Sequence, residues 1–211
     1  MISVYTYAGS RSLRVVWTLE ELELDYRCHA LRLDQGEGQT PEHLARHPDG
    51  KVPVLVDGEL TLFESGAICR YLAAKYGGGS SLMPKDVAGQ ARLDQWLFFL
   101  LTELEQPLWN QAKHTFALPE VQRVPAMIPT AAWEYRRALA ALERRFDGKD
   151  WLMGEHFSLA DIFLTQILMW SQKAKHPVPE QLKDYLARCT ARPAWARAVA
   201  REDAAAAAVD S

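Results

Sequence analysis

Apolar and polar positions along this chain follow two periods, and the change from one to the other divides it. In the first 76 residues, ISVYTY and YRCHALRL read as short strands rich in β-branched and aromatic residues, the second with period-two alternation. Between them, SRSLRVVWTLEEL sets Leu13, Val16 and Leu19 at helical spacing. TPEHLARH is a short helix, with Thr40 as N-cap and Pro41 at the first helical position. VPVLV and ELTLF flank Asp57-Gly58, a two-residue hairpin signal, and SGAICRYLAAKY closes the segment with Ile68, Leu72 and Lys75 on one helical face. The order βαβ, then α, then ββα predicts a central sheet with helices on its faces.

GGGSSLMPKD is small, flexible and closed by proline, and everything after it is patterned as helix. The expected domains are an α/β unit at 1–76, a linker at 77–85 and an all-α unit at 86–211. The first long helix of that second unit contains Pro107, which predicts a kink or break. AMIPTAAWEYRRALAALERRF forms another helix, ending at Asp147-Gly148, and the apolar SLADIFLTQILMWSQKA a third. PEQLKDYLARC and PAWARAVARED each begin with proline in the first turn, and the AAAAAVDS tail is expected to fray. In HFSLADI, Ser158 caps a helix, Asp161 stands at its third position, and Phe157 with Ile162 forms a hydrophobic staple. That cluster reads as structural, anchoring the helical half.

Composition narrows the functional classes. The chain has 211 residues, is 48% hydrophobic and 24% charged, and carries a net charge of −3, which gives no whole-chain attraction to nucleic acid or membrane. No apolar run approaches the ~20 residues of a membrane span, and MISVYTYAGS lacks the charged-then-apolar profile of a secretory leader. Cys28, Cys69 and Cys189 are odd in number and far apart, matching neither a disulfide framework nor a C-x-x-C site; the expected home is a reducing cytoplasm. The six histidines show no metal-ligand spacing, so no metal is expected, and His43 with His47 is assigned no ligand role. Arg136-Arg137 and Arg144-Arg145 read as a solvated helix face.

Two oddities remain. Pro53 cannot donate to a ladder, yet it opens an apolar strand, and Glu64-Ser65 places polar groups where a helix leaves its N–H groups unpaired. HPDGKVPVLVDGELTLFESGAICRYLAAKY, taken with DWLMGEHFSLADIFL, resembles the cytosolic glutathione S-transferases over essentially the whole chain, and RVVWTLEELEL is similar to bacterial members. The resemblance implies a thioredoxin-like N-terminal domain followed by an all-α domain. It also implies that Val52, before a cis Pro53, offers its backbone to the cysteinyl unit of glutathione like an added strand. Glu64 and Ser65 would hold the γ-glutamyl end, and Lys51 would pair with the glycyl carboxylate. The bland alternative is that Ser65 caps the helix and Glu64 complements its dipole.

Family members stabilise the glutathione thiolate with a Tyr, Ser or Cys after the first strand. This chain offers Ser10 first and Ser12 next, then Tyr5 and Tyr7, and no cysteine, which argues against thioredoxin or glutaredoxin chemistry. The N-cap role is the alternative for either serine. Trp109, His114, Phe116 and Trp170 are candidates for an apolar co-substrate pocket, with core packing the alternative. The reading is a glutathione-dependent transferase, with attack of the thiolate on small electrophiles or peroxides. The resemblance also implies a homodimer through the helix after Ser65 and the DQWLFFLL helix. A non-catalytic glutathione-binding or regulatory module is the alternative, and a purely structural partner protein would not need the Lys51–Ser65 cradle. The electrophile, and the choice among conjugation, peroxidase, isomerase and dehalogenase chemistry, are not written in the sequence.

Overall fold

β1 (Ile2–Thr6) lies at the centre of a four-stranded sheet of order β2-β1-β3-β4 in the computed structural model, which describes residues 1–146 and 148–209. β2 (Tyr26–Ala30) runs parallel to β1, as the intervening helix α1 (Ser12–Glu21) requires. β3 (Val54–Asp57) is antiparallel to β1, with Tyr5 opposite Val54, and β4 (Leu60–Phe63) is antiparallel to β3, with Val54 opposite Phe63. The alternation of β1 sends Ile2, Val4 and Thr6 into the core. Tyr5, on the opposite face, stacks on His29 and carries Arg46 over its ring. The short α2 (Pro41–Leu44) begins as its sequence predicts, with the His43 N–H donating to Thr40 Oγ1.

The hairpin differs by one residue from its expected form. Asp57 is the last residue of β3 and pairs with Leu60, so the two-residue turn is Gly58-Glu59, with Gly58 at φ +63° in the first loop position. Asp57 has another task. Its carboxylate accepts from Tyr71, Lys75 and Tyr76 of α3 (Ser65–Tyr76), which ties the hairpin to that helix and holds the carboxyl down at about 2.

α1 is buried nearly all round, its polar Ser12, Arg14, Thr18 and Glu20 included, because the sheet, α3 and the last helix, α9 (Pro193–Val209), cover it. Ala194, Ala198 and Glu202 form the buried stripe of α9, and the two alanines let it approach closely. Trp17 meets Trp195 edge to face at 4.8 Å. Arg192 grips Glu21 with two bonds of 2.6 Å, and Arg197 donates to Glu20. The compact units are therefore Met1–Met83 joined by the segment from Cys189 through α9, and Pro84–Arg188. The sequence reading had placed the last helix with the all-α half. The alanine-rich tail, expected to fray, is helical through Val209.

The second unit holds α4 (Val87–Phe99), α5 (Gln106–Ala112), α6 (Met127–Arg145), α7 (Leu159–Lys173) and most of α8 (Glu180–Thr190). Pro107 does not break the chain's helical course. A π-helical stretch, Leu100–Glu105, leads without interruption into α5, and Pro107, which has no N–H to donate, sits directly after it. A second such stretch, Lys113–Ala117, follows α5. The turn expected at Asp147-Gly148 lies partly outside the described residues, since Asp147 is not among them.

Asp161 is the polar centre of this unit. Fully buried, it accepts from the Ser158 N–H at 2.8 Å, the Ser158 hydroxyl at 3.0 Å, the Leu152 N–H at 2.7 Å and the Tyr185 hydroxyl at 2.8 Å. The capping box is present, and the Asp161 carboxylate also secures the preceding loop and α8. Asp161→Ala leaves those donors buried without an acceptor and should cost about 3 kcal/mol or more. Denaturant melts check this; an unchanged midpoint would dismiss the Asp161 carboxylate as an anchor.

Candidate functional site

The sheet register brings the candidate residues to one end of the first unit. Tyr5 and Phe63 both pair with Val54. The chain leaving β1 (Tyr7 to Ser12), the chain entering β3 (Lys51 to Pro53) and the chain leaving β4 (Glu64, Ser65) therefore emerge together.

The Val52–Pro53 peptide is cis. Neither the N–H nor the C=O of Val52 bonds to any described residue, so both are available to an extended peptide. His43 and His47, without a role in the sequence reading, position this segment. His43, buried, bonds the Lys51 carbonyl through Nε2 at 2.9 Å, and His47 Nδ1 accepts from the Asp49 N–H at 3.1 Å. Burial pushes the His47 imidazole down, towards its neutral form. Gly50, at φ +62°, passes so close to Gly38 that an added Cβ would lie 2.4 Å from the Gly38 carbonyl oxygen. The Lys51 side chain is exposed and pairs with Asp49.

Glu64 stands at the N-cap of α3 with φ 69°, a left-handed conformation uncommon for a non-glycine residue. Its exposed carboxylate makes no capping bond. Ser65 is the first helical residue and is 2% exposed; its Oγ accepts from Arg14 Nη1 at 3.3 Å. Ser65 is therefore not the N-cap of this helix, a position that Glu64 occupies without a side-chain capping bond. A helix start held in strained backbone, with first-turn N–H groups that no side chain caps, is suited to an anion.

The four candidate donors separate by environment. Tyr5 is engaged on the α2 side of the sheet with His29, His43 and Arg46. Tyr7 is 40% exposed, beyond the strand end, and its backbone closes the loop by accepting from the Ser10 N–H at 3.0 Å. Ser12 is fully buried at the first position of α1, its Oγ 2.5 Å from Glu202 Oε1. Ser10 is half-buried; its Oγ lies 2.9 Å from that of Ser12 and accepts from the Ser12 N–H at 3.2 Å. Ser10 thus stands between the buried Ser12 and solvent, at the positive end of α1. The chain's own thiols are poor nucleophiles at neutral pH: burial pushes Cys69 up to about 12 and Cys28 upward, while Cys189 is buried.

Trp109, His114, Phe116 and Trp170 all lie in the second unit. Trp109 and Trp170 are half-buried, Phe116 is 68% exposed, and His114 Nδ1 accepts from the Val124 N–H at 3.1 Å. A cleft in that unit is lined by others, among them Gln95, Trp96, Phe99, Arg144 and Arg145. No group of metal-ligating side chains occurs among the described residues. Among them, too, no helix is long and apolar enough to cross a membrane.

Residue Glu202 was invisible to sequence reading: it sits in an alanine-rich helix, 190 residues from Ser12. It is 3% exposed and accepts from the Ser12 hydroxyl and, at 3.3 Å, from the Gly9 N–H. Burial pushes its carboxyl up to about 7 against the pull of those two donors.

Residues 1–74 match the glutathione S-transferase N-terminal domain, and residues 106–193 match the C-terminal domain. The chain is 33% identical to the disulfide-bond oxidoreductase YfcG of Escherichia coli, with 94% of each chain covered. It is 32% identical to glutathione S-transferase F10 of Arabidopsis thaliana over 77% of each chain. A glutathione transferase family member from Pseudomonas fluorescens, solved with two glutathione bound, superposes with a TM-score of 0.80 at 26% identity, covering 94% of this chain and 92% of that one. Further relatives are fungal, so the likeness is not confined to bacterial members as the sequence suggested.

The raised carboxyl of Glu202 has a thermodynamic consequence. The folded state holds its proton more tightly than the unfolded state, so this group's contribution falls as pH rises from about 4.5 to about 7, by about 3 kcal/mol in all. Glu202→Gln should remove that loss, so that the variant gains stability over wild type across this window. Parallel stability curves from denaturant melts at pH 4.5, 6 and 8 would contradict the assignment.

Proposed function

This chain belongs to the cytosolic glutathione S-transferase superfamily, and on that premise we propose that it binds glutathione at the end of the sheet described above and activates its thiol for attack on small electrophiles. The observation that carries the reading is the pairing of two prepared features: unbonded backbone groups of Val52 beside a cis proline, and a strained, uncapped helix start at Glu64-Ser65.

The tripeptide adds to Val52 as a short antiparallel segment, which fixes the cysteinyl residue and aims its sulfur at the loop after β1. Its γ-glutamyl carboxylate meets the start of α3 and the Ser65 hydroxyl, and its ammonium meets Glu64. Lys51 leaves Asp49 to meet the glycyl carboxylate. The Ser10 hydroxyl donates to the sulfur, and the N-terminus of α1 adds its positive potential. Together they draw the thiol pKa from about 8.5 towards neutrality, each unit being worth about 1.4 kcal/mol. The thiolate attacks the electrophilic centre, a C–S bond forms and the leaving group departs with its electron pair.

The name of the E. coli relative supports a second reading, in which the electrophile is a disulfide. The thiolate would then displace one thiolate from the disulfide to give a mixed disulfide, and a second glutathione thiolate would attack the glutathione sulfur of that mixed disulfide, expelling the other half as a thiolate and leaving oxidised glutathione. A peroxide as electrophile is a third substrate class of the same thiolate. The unactivated alternative is a glutathione-binding module without turnover. Exposed Phe98 and half-buried Trp96 and Phe99 on α4, together with α3, are the surfaces we assign to a homodimer. A cytoplasmic location fits three free cysteines.

Ser10→Ala should abolish the ultraviolet thiolate absorbance of bound glutathione at neutral pH and lower turnover by ~10- to 100-fold, while affinity changes little. Glu64→Ala or Ser65→Ala should instead weaken glutathione binding in calorimetry by about 1.5–3 kcal/mol. Assays with an aryl halide, a hydroperoxide and a small dialkyl disulfide separate the substrate classes. Binding without a thiolate in the wild-type protein would establish the non-catalytic module instead.

A further inference from the structure

The Ser12 hydroxyl has four polar neighbours and one hydrogen. Glu202 Oε1 lies at 2.5 Å, the Tyr7 carbonyl oxygen at 3.0 Å, Ser10 Oγ at 2.9 Å and the Tyr7 amide nitrogen at 3.2 Å. The amide always donates to Ser12. The other three contacts must share the hydrogens that remain, and Glu202 decides how.

An ionised Glu202 can only accept, and as a charge it outcompetes the Tyr7 carbonyl for the Ser12 hydrogen. At the 2.9 Å contact Ser12 is then the acceptor, so the Ser10 hydroxyl donates inward. A protonated Glu202 reverses the chain. It donates to Ser12 Oγ and, with the Tyr7 N–H, fills both acceptor sites of that oxygen; the Ser12 hydrogen turns to the Tyr7 carbonyl or to Ser10, and Ser12 no longer accepts from Ser10. The single hydrogen of Ser10 is then directed away from Ser12.

We propose that Glu202 is a positioning residue for the thiolate donor: its protonation state sets, through Ser12, whether the Ser10 hydroxyl donates outward to the glutathione sulfur or back into the loop. This rests on the reading of Ser10 as donor.

The surroundings keep both states within reach. Among the described residues no cation pairs with Glu202. Asp203 on its own helix and Cys28 on β2 are the titratable groups coupled to it, and the nearby Arg201 is oriented towards Glu20, 3.8 Å from its Oε1. Arg197 is likewise held by Glu20. Burial places the carboxyl at about 7, so the two hydrogen-bond orders exchange near neutral pH. Thiolate formation and Glu202 ionisation therefore oppose one another, and by linkage each lowers the ionisation constant of the other by the same factor.

The test titrates bound glutathione by its thiolate absorbance in wild type, Glu202→Gln, Ser12→Ala, the double variant and Ser10→Ala. In wild type the curve should be broader than that of one proton, and Glu202→Gln should sharpen it and raise the thiol ionisation constant by about 3- to 10-fold, the scale of one hydrogen bond. In the Ser12→Ala background the same Glu202 change should move that constant by less than about 2-fold, since the connection is already cut. A measurement on the unaltered protein runs beside these: the Glu202 carboxyl carbon, followed by NMR, should titrate at higher pH with glutathione than with S-methylglutathione, which has no thiol. Identical titrations of wild type and Glu202→Gln, an undiminished effect in the Ser12→Ala background, or equal Glu202 titrations with the two ligands would each overturn the proposal. Ser10→Ala tells the two failures apart. If it retains the wild-type thiolate, the donor reading itself has failed; if it loses the thiolate while Glu202 and the thiol stay uncoupled, the relay alone has failed.

Discussion

A carboxylate can leave water only where donors meet it, and at Glu202 those donors are the Gly9 N–H and the Ser12 hydroxyl. That requirement places α9 across the start of α1. Ala194 and Ala198 make the approach close, and the Arg192–Glu21 and Arg197–Glu20 pairs fix its register. Once α9 is seated, the loop from Tyr7 to Arg11 is closed from within by hydrogen bonds to Tyr7, Ser10 and Ser12. The outward position of Ser10 is what remains after Ser12 has been used.

The second unit, too, is organised around a buried carboxylate. Asp161 collects four donors and holds a helix start, a loop and a neighbouring helix. Glu202 collects two, and at both residues burial pushes the carboxyl up against the pull of its donors. The difference lies in what is joined: Asp161 ties a helix start to a loop and a neighbouring helix, while Glu202 ties α9 to the loop that precedes α1.

What the sequence revealed was local. Thr40-Pro41, Val52-Pro53 and Ser158-x-x-Asp161 act within a few residues of themselves, so their spacing carries their geometry. What it hid was long-range. Nothing near Glu202 distinguishes it from a solvated helical glutamate, because its partners lie at the other end of the chain. Asp57 looked like a turn residue because its three donors come from a helix that follows the hairpin. The last helix was grouped with its sequence neighbours because periodicity tells which face is apolar, not what covers it. The left-handed backbone of Glu64 is likewise a tertiary imposition on a residue with no preference for it.

The placement of α9 also orders events during synthesis. Residues 1–83 leave the ribosome before Pro84–Arg188 and contain the four strands of the sheet, yet the helix that covers the outer side of α1 is made only after the whole of that second unit. Through that interval Trp17 lacks its edge-to-face partner, and Glu20 and Glu21 lack their arginines. A nascent sheet-and-helix unit with an apolar helix flank is a surface for chaperones to hold and for neighbouring nascent chains to find. The unit begun before Pro84–Arg188 is completed only after it, so a ribosome stalled before Cys189 would release a chain whose Val52–Ser65 segment is translated in full and whose Tyr7–Ser12 loop is unsupported.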